Sequence, residues 1–158
     1  MGGKINVVER DDELIFSNLG SFIPRSIENV IDRDSPEEYY RNQFLANAMV
    51  NLNMIDTIGS GIKKLFILQM QRYFPLPNYN LSDKGKVTVK IIGKIIDENY
   101  TKLLINNTNL ELKTVIALDK VQKKEQLTEN ERKMLRQRKK LNINESNKKA
   151  VLQGIKTK

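Results

Sequence analysis

The sequence contains no cysteine, no histidine and no tryptophan. Without cysteine and histidine, the chain cannot build a Cys/His zinc site, a thiol nucleophile or a triad that depends on imidazole. No apolar run reaches the length of a membrane-spanning helix, and the N-terminus has no signal-peptide core. These absences predict a cytoplasmic protein with no membrane partner and no metal site.

The charge is present in quantity, but it is unevenly distributed along the 158 residues. Residues 1–96 carry 12 basic and 11 acidic side chains, a net of +1, whereas residues 97–158 carry 15 basic and 8 acidic side chains, a net of +7. A basic half joined to a neutral half is typical of proteins that meet a polyanion, most often nucleic acid. The alternative is a lysine-rich surface that keeps the protein in solution.

The beginning of the chain alternates between apolar and polar residues. This pattern predicts a β-hairpin with arms at 5–8 and 14–16 and a turn at Asp11–Asp12. The acidic residues at 11–13 are interpreted as turn residues and not as metal ligands. Residues 22–34 show no clear period and are predicted to be irregular.

Two helices are predicted next, covering one side of the sheet. Ser35 is the expected N-cap of the first helix, with Pro36 at its first position. The apolar stripe of this helix comprises Phe44, Leu45, Ala48, Met49, Leu52 and Ile55. The stripe of the second helix comprises Ile62, Leu65, Phe66, Met70 and Tyr73. Pro75 and Pro77 then end the helix, and the alternation in "KVTVKII" predicts a half-buried strand.

Three consecutive helices are predicted after Gly93, and the third is strongly basic. It starts with a capping box formed by Thr128 and Glu131. Its basic residues are Arg132, Lys133, Arg136, Arg138, Lys139 and Lys140. Helical spacing places four of them on one face and turns Met134, Leu135 and Leu141 inward. The helix is either a DNA-contacting element or a solvated cationic face.

Five segments occur in an order that marks a family: "IFSNLGSF", "YRNQFLANAM", "DTIGSGIKKLF", "RYFPLPNY" and "LDKVQKKEQLTENERKMLR". With them, the chain resembles the C-terminal region of bacterial RecG-related ATP-dependent DNA helicases and transcriptional regulators, over about residues 5–141. The resemblance implies a degenerate GHKL-type ATPase-like domain followed by a winged helix. It also implies that an AlbA/Schlafen-type domain and a magnesium-binding helix precede this region in a longer parent protein.

The resemblance also implies a set of nucleotide-binding positions: Asn18, Gly20, Arg41, Asn42, Gly59, Ser60 and Gly61. The Gly59–Gly61 turn could offer backbone N–H groups to a phosphate at a helix N-terminus. It could instead be a tight architectural turn, and this reading is favoured. The chain has no Walker A loop and no nucleophile–base pair. We therefore expect no cofactor and no catalysis in this chain, and ATP with magnesium only in a longer parent.

The expected fold class is α+β: a small mixed sheet with two packed helices, a GHKL-like remnant, followed by a helical, winged-helix-like segment. The expected units are residues 1–94, residues 95–145 and a flexible tail at 146–158. Asp119 is interpreted as an inter-helix cap or ion-pair partner and not as a catalytic acid. The expected function is a DNA-binding regulatory module. The alternatives are a GHKL-type ATP-binding module and an oligomerisation domain whose helices at 41–73 pair in a homodimer.

Overall fold

The computed structural model describes residues 4–32, 40, 42–54 and 61–139, with backbone alone at 138 and 139. These residues form four strands and six helices. The strands are β1 (Ile5–Arg10), β2 (Glu13–Leu19), β3 (Asn78–Asn80) and β4 (Lys86–Ile92). The helices are α1 (Ile27–Asp32), α2 (Gln43–Asn51), α3 (Gly61–Gln71), α4 (Glu98–Asn106), α5 (Leu112–Gln122) and α6 (Glu129–Lys139). The α+β class predicted from the sequence is confirmed.

The four strands form one sheet in the order β1-β2-β4-β3. The predicted hairpin is confirmed, since β1 and β2 pair without a break from Ile5↔Asn18 to Arg10↔Glu13 around a two-residue turn. The prediction of a mixed sheet is wrong for the described strands, because all three pairings are antiparallel. A short turn reverses the chain between β3 and β4. The three-residue strand β3 was not predicted.

Helix α1 occupies part of a segment that was predicted to be irregular. Its signal is local and brief: the hydroxyl of Ser26 accepts a hydrogen bond from the backbone N–H of Asn29 at 3.2 Å. This is an N-cap bond, which stabilises the start of a helix. Ile31 is the buried residue of α1 and joins the core. A helix of six residues is too short to show a clear apolar period.

Helix α2 begins later than predicted and exposes much of its predicted apolar stripe. Its N-cap is Asn42, whose side-chain oxygen accepts from the backbone N–H of Leu45 at 2.9 Å. The predicted cap Ser35 lies outside the described residues. Phe44 is 86% exposed and Leu52 is 70% exposed, whereas Ala46 is buried. Ala48 and Met49 of the stripe are half-buried, so the stripe is only partly covered among the described residues, and Ile55 lies outside them.

Helix α3 lies against the sheet, as predicted for the second helix. Its Phe66 is buried and stacks on Tyr79 of β3, with ring centroids 6.1 Å apart. Gln69 is buried as well, and its side-chain amide donates to the carbonyl oxygen of Ile92 at the end of β4, at 2.9 Å. One apolar and one polar contact therefore fix α3 to two strands. After α3 ends at Gln71, the chain turns at Tyr73, which has a φ of 60°.

The three helices predicted after Gly93 are confirmed as α4, α5 and α6. Together with α1 and α3 they enclose the main apolar core, which contains Ile31, Phe66, Leu76, Tyr100, Leu103, Leu104, Val115, Ala117, Leu118, Leu127 and Leu135. The core therefore draws residues from both sides of position 94. The division of the chain into units at that position stays a prediction. None of the described helices is long and apolar enough to cross a membrane.

A buried polar clamp joins α5 to the segment between α3 and β3. A carboxylate oxygen of Asp119 accepts from the backbone N–H of Leu76 at 2.9 Å, and the Lys123 ammonium donates to the carbonyl oxygen of Leu76 at 2.7 Å. The same two side chains form an ion pair at 2.5 Å, with side-chain exposures of 6% and 11%. The prediction that Asp119 forms an ion pair is confirmed, but the pair is not between helices, since Lys123 caps the same helix and Leu76 belongs to none. Because buried backbone groups need partners, this clamp fixes the relative position of α5 and Leu76.

We predict that Asp119→Ala lowers the free energy of unfolding by about 3–5 kcal/mol, because it leaves the Lys123 ammonium buried without its carboxylate. Adding Lys123→Met should recover about 0.5–3 kcal/mol, since the double variant has no lone buried charge. Urea unfolding followed by circular dichroism measures both values. Lys102→Met, at an exposed i,i+4 pair, is the control and should change stability by less than about 0.5 kcal/mol. A loss in Asp119→Ala no larger than in this control would contradict the role of the clamp.

Candidate nucleic-acid interface

The start of helix α6 is fixed by the predicted capping box, which is confirmed. A carboxylate oxygen of Glu131 accepts from the backbone N–H of Thr128 at 2.7 Å. In return, the hydroxyl of Thr128 accepts from the backbone N–H of Glu131 at 3.3 Å. This reciprocal pair satisfies two backbone donors that the first turn of a helix leaves open. The rotation of α6 about its axis is then set by the side chains that it buries.

Leu135 anchors α6 in the core at 2% exposure, and Met134 is partly buried beside it. Both inward positions agree with the prediction, while Leu141 lies outside the described residues. The opposite face is exposed and lines a shallow cleft formed by Glu129, Asn130, Lys133, Arg136 and Gln137. We call these five residues the outer face of α6. The helix therefore has one anchored side and one side open to a partner.

The six predicted DNA-contacting residues have different environments. Arg132 is partly buried and pairs with Glu129 at 3.3 Å. Lys133 and Arg136 are exposed on the outer face and have no ion pair or hydrogen bond among the described residues. The side chains of Arg138 and Lys139 are not described, and Lys140 lies outside the described residues. Two of the predicted cations are thus available to a ligand.

Sequence reasoning missed the two amide side chains that share this face. Asn130 precedes Lys133 by three positions, and Gln137 follows it by four. Residues at these spacings lie on one side of a helix. That spacing was readable from the sequence, but attention to the positive charge alone left it unused. The outer face therefore offers amide groups as well as cations.

Lys120 of α5 links α6 to the sheet-bearing half of the protein. Its ammonium donates to Glu131 at 2.8 Å and to Glu28 of α1 at 3.2 Å. Burial lowers the pKa of Lys120, but the two carboxylates raise it more, and the net pKa lies above its ordinary value. Burial likewise raises the pKa of Glu131, but the hydrogen bonds from Lys120 and Thr128 lower it more, so the net pKa lies below its ordinary value. This bridge was not predicted, because its members are far apart in sequence.

Three of the four predicted nucleotide-binding residues that the structure describes make a hydrogen bond within the protein. The side-chain amide of Asn18 donates to the carbonyl oxygen of Leu19 at 3.3 Å, and Asn42 caps α2. Gly20 has a φ of 116°, and its N–H donates to the carbonyl oxygen of Gly85 at 2.7 Å. Gly61 is the first residue of α3. The remaining three, Arg41, Gly59 and Ser60, lie outside the described residues.

Two of the three acidic residues at 11–13, Asp12 and Glu13, form ion pairs. Asp12 pairs with Lys94, and Glu13 pairs with Lys90 at 2.9 Å and with Arg10 at 2.5 Å. No cluster of three or more metal-ligating side chains occurs in the part of the chain that the structure describes. These carboxylates therefore hold neighbouring strands together. Asp11 and Asp12 form the turn, as interpreted from the sequence, whereas Glu13 is the first residue of β2.

A separate cleft of about 230 Å³ lies between α1, β3 and α5. Its floor is apolar, with Phe66 and Tyr79, and its wall includes the clamp residues Asp119 and Lys123. Burial raises the pKa of Tyr79 to about 12. The four predicted nucleotide-binding residues that the structure describes do not line this cleft, the cleft at α6 or the smaller one beside α4. Because α1 and β3 precede position 94 and α5 follows it, the cleft lies where the two halves of the chain meet.

A comparison with known protein families finds a match to the first part of the chain, which contains the sheet and helices α1, α2 and α3. A model of the family described as "Putative ATP-dependent DNA helicase recG C-terminal" matches residues 2–91. The match spans more than half of the chain, which therefore belongs to this family. Helices α4, α5 and α6 lie beyond the matched residues. No curated protein and no solved structure matches the chain significantly.

We predict that the stabilising effect of Glu131 is lost in acid. A carboxyl with a depressed folded-state pKa contributes stability above its unfolded pKa, and this contribution disappears as the pH falls through the folded value. Glu131→Gln retains an acceptor for the capping box but cannot carry the charge. The stability difference between wild type and Glu131→Gln should therefore be largest at neutral pH and shrink below about pH 4.5, the ordinary value for this carboxyl.

Urea unfolding at a series of pH values measures this difference. When both proteins also carry Lys120→Met, the stability difference between Glu131 and Glu131→Gln should depend less on pH, because the ammonium partner of Glu131 is gone. A difference between wild type and Glu131→Gln that stays constant from neutral pH into acid would contradict the assigned pairing.

Proposed function

We propose that this chain is a DNA-binding regulatory module and that α6 is its contacting element. The observation that carries the proposal is the pair Lys133 and Arg136, which are exposed side by side on the outer face and unpaired among the described residues. Cations that keep no internal carboxylate partner are available to neutralise phosphates. Asn130 and Gln137 on the same face can donate to phosphates, and they can both donate to and accept from base edges.

The dimensions of α6 suit a nucleic-acid groove. Its eleven residues correspond to a helix about 16 Å long. The major groove of B-form DNA is about 12 Å wide and admits one helix. The anchoring of Leu135 and the capping box keep the outer face turned away from the core. Phosphate contacts by Lys133 and Arg136 would set affinity, with limited sequence preference supplied by the amides.

The family adds independent support for DNA as the partner. The family is described as the C-terminal region of an ATP-dependent DNA helicase, and this chain matches that region. We also propose a role in transcription regulation and a winged-helix arrangement of α4–α6. The cytoplasmic location also stays a prediction. We propose no catalytic residue in this chain.

We predict that Lys133→Ala combined with Arg136→Ala weakens binding to duplex DNA by about tenfold or more at low salt. Each lost phosphate contact should reduce the slope of log affinity against log salt by about one, so the double variant should lose about two. Fluorescence anisotropy with a labelled duplex at several salt concentrations measures both quantities. Unchanged isotherms in the double variant would contradict the assignment of α6.

The matched control for this test is Lys84→Ala combined with Lys86→Ala. These two exposed lysines lie at the β3–β4 turn and at the start of β4, so the control removes the same charge from the other half of the chain. It should retain most of the affinity and the slope. Equal losses in both double variants would indicate binding through net charge alone.

Nucleotide binding is the second candidate function, and the family description favours it because it names an ATP-dependent protein. The internal bonds of Gly20 and Asn42 count against it, since these groups are occupied in the structure. We predict no saturable binding when a fluorescent ATP analogue is titrated with magnesium into this chain. Saturation with one analogue per chain would favour the GHKL-type module over the regulatory one.

A further inference from the structure

Strand β1 forms an open edge of the sheet. It pairs with β2 on one side, and no described strand lies on its other side. All six of its residues are exposed, including Ile5 at 73% and Val7 at 56%. Natural edge strands are usually protected by a proline, a bulge or an inward charge. β1 has no proline and an unbroken register, its charges lie at its C-terminal end, at Glu9 and Arg10, and Lys4 precedes it.

The free backbone groups of this edge belong to alternate residues. A β-turn bonds its first residue to its fourth, so the turn at Asp11–Asp12 makes Arg10 and Glu13 a hydrogen-bonded pair. Hydrogen-bonded and non-bonded pairs alternate along an antiparallel ladder. Ile5, Val7 and Glu9 therefore direct their N–H and C=O groups away from β2. The two most exposed apolar side chains of β1 stand on the residues whose backbone is free.

Two copies of β1 are complementary to each other in one register. Antiparallel pairing around a twofold axis perpendicular to the sheet keeps the same face on the same side in both copies, so residues of equal parity must oppose each other. A register centred on Asn6 makes two equivalent pairs, because Ile5 of each copy lies opposite Val7 of the other. Both residues of each pair have free backbone groups. A register centred on Val7 would instead oppose Lys4 and Arg10, which have like charge.

We infer that β1 pairs with β1 of a second copy of this chain, antiparallel and centred on Asn6, so that two sheets join into one continuous sheet. In this pairing, Ile5 of one copy and Val7 of the other would contact each other. They lie on the face of the sheet that also carries Phe16 and Tyr79. A second copy is the occupant because the edge supplies its own complement in both hydrogen bonds and apolar side chains. This inference does not rest on DNA binding.

The absence of cysteine makes the register directly testable. In the proposed pairing, the Asn6 positions of the two copies face each other as a non-bonded pair, with Cα atoms about 4.5 Å apart, within the range of a disulfide. The two Val8 positions would be offset by four residues, about 13 Å. Asn6→Cys should therefore form a disulfide-linked dimer under mild oxidation at least about tenfold faster than the matched control Val8→Cys, which exposes a thiol on the same face.

Light scattering on the unmodified full chain is the second readout. It should show a mass that rises with concentration from 18.3 kDa towards twice that value, up to about 200 µM. A constant monomer mass over this range overturns the inference. Equal cross-linking rates, or a faster rate for Val8→Cys, overturn it too. Circular dichroism confirms that both thiol variants fold, and if either does not, the mass of the unmodified chain decides.

Discussion

The contacts of Leu76 with Asp119 and Lys123 are the constraint on which the rest of the structure depends. Leu76 lies between Pro75 and Pro77, in a segment that belongs to no helix or strand, yet it is almost fully buried. Its N–H and C=O groups have no ladder or helix to join. Asp119 and Lys123 satisfy both groups from one helix. The cost of burying two charges is offset because they neutralise each other and bond to the backbone.

The position of α6 follows from this clamp. The clamp fixes α5 to the segment between α3 and β3. Lys120 of α5 then lies between Glu28 and Glu131, and its ion pair with Glu131 connects the first turn of α6 to α5. Leu135 then completes the core. The outer face of α6 is thereby presented on a supported helix and not on a free tail. For a DNA-contacting element this matters, because a helix ordered in advance loses less entropy on binding.

Two other surfaces of the protein leave large apolar side chains exposed to solvent. The stripe of α2 and the edge strand β1 both expose large apolar side chains, although the sheet and α3 are well packed near Tyr79. An apolar stripe on an exposed helix gains nothing from burial until a partner covers it. The two surfaces differ in kind. β1 offers a defined hydrogen-bonding pattern, which specifies a partner, whereas α2 offers side chains alone.

Local patterns in the sequence predicted the local structure well. The hairpin, β4, the three C-terminal helices and the capping box of α6 follow from spacing alone, since each depends on residues within a few positions. The stripe of α2 shows where this reasoning ends: periodicity tells which residues share a face but not whether anything covers that face. Asp119 was recognised as a pairing residue, but its main partner, Leu76, lies 43 positions earlier. Likewise, the basic residues of α6 were predicted as a set, while the support from Lys120 depends on tertiary packing.

Backbone hydrogen exchange at Leu76 tests the central claim most directly. If the clamp unites the two halves of the protein, the amide of Leu76 should exchange only through global unfolding, with the same opening free energy as the amide of Val115, a fully buried residue in the first half of α5. Native-state exchange at increasing denaturant, followed by nuclear magnetic resonance, compares the two amides. Exchange of the Leu76 amide through local opening, at a much lower free energy than Val115, would contradict the account.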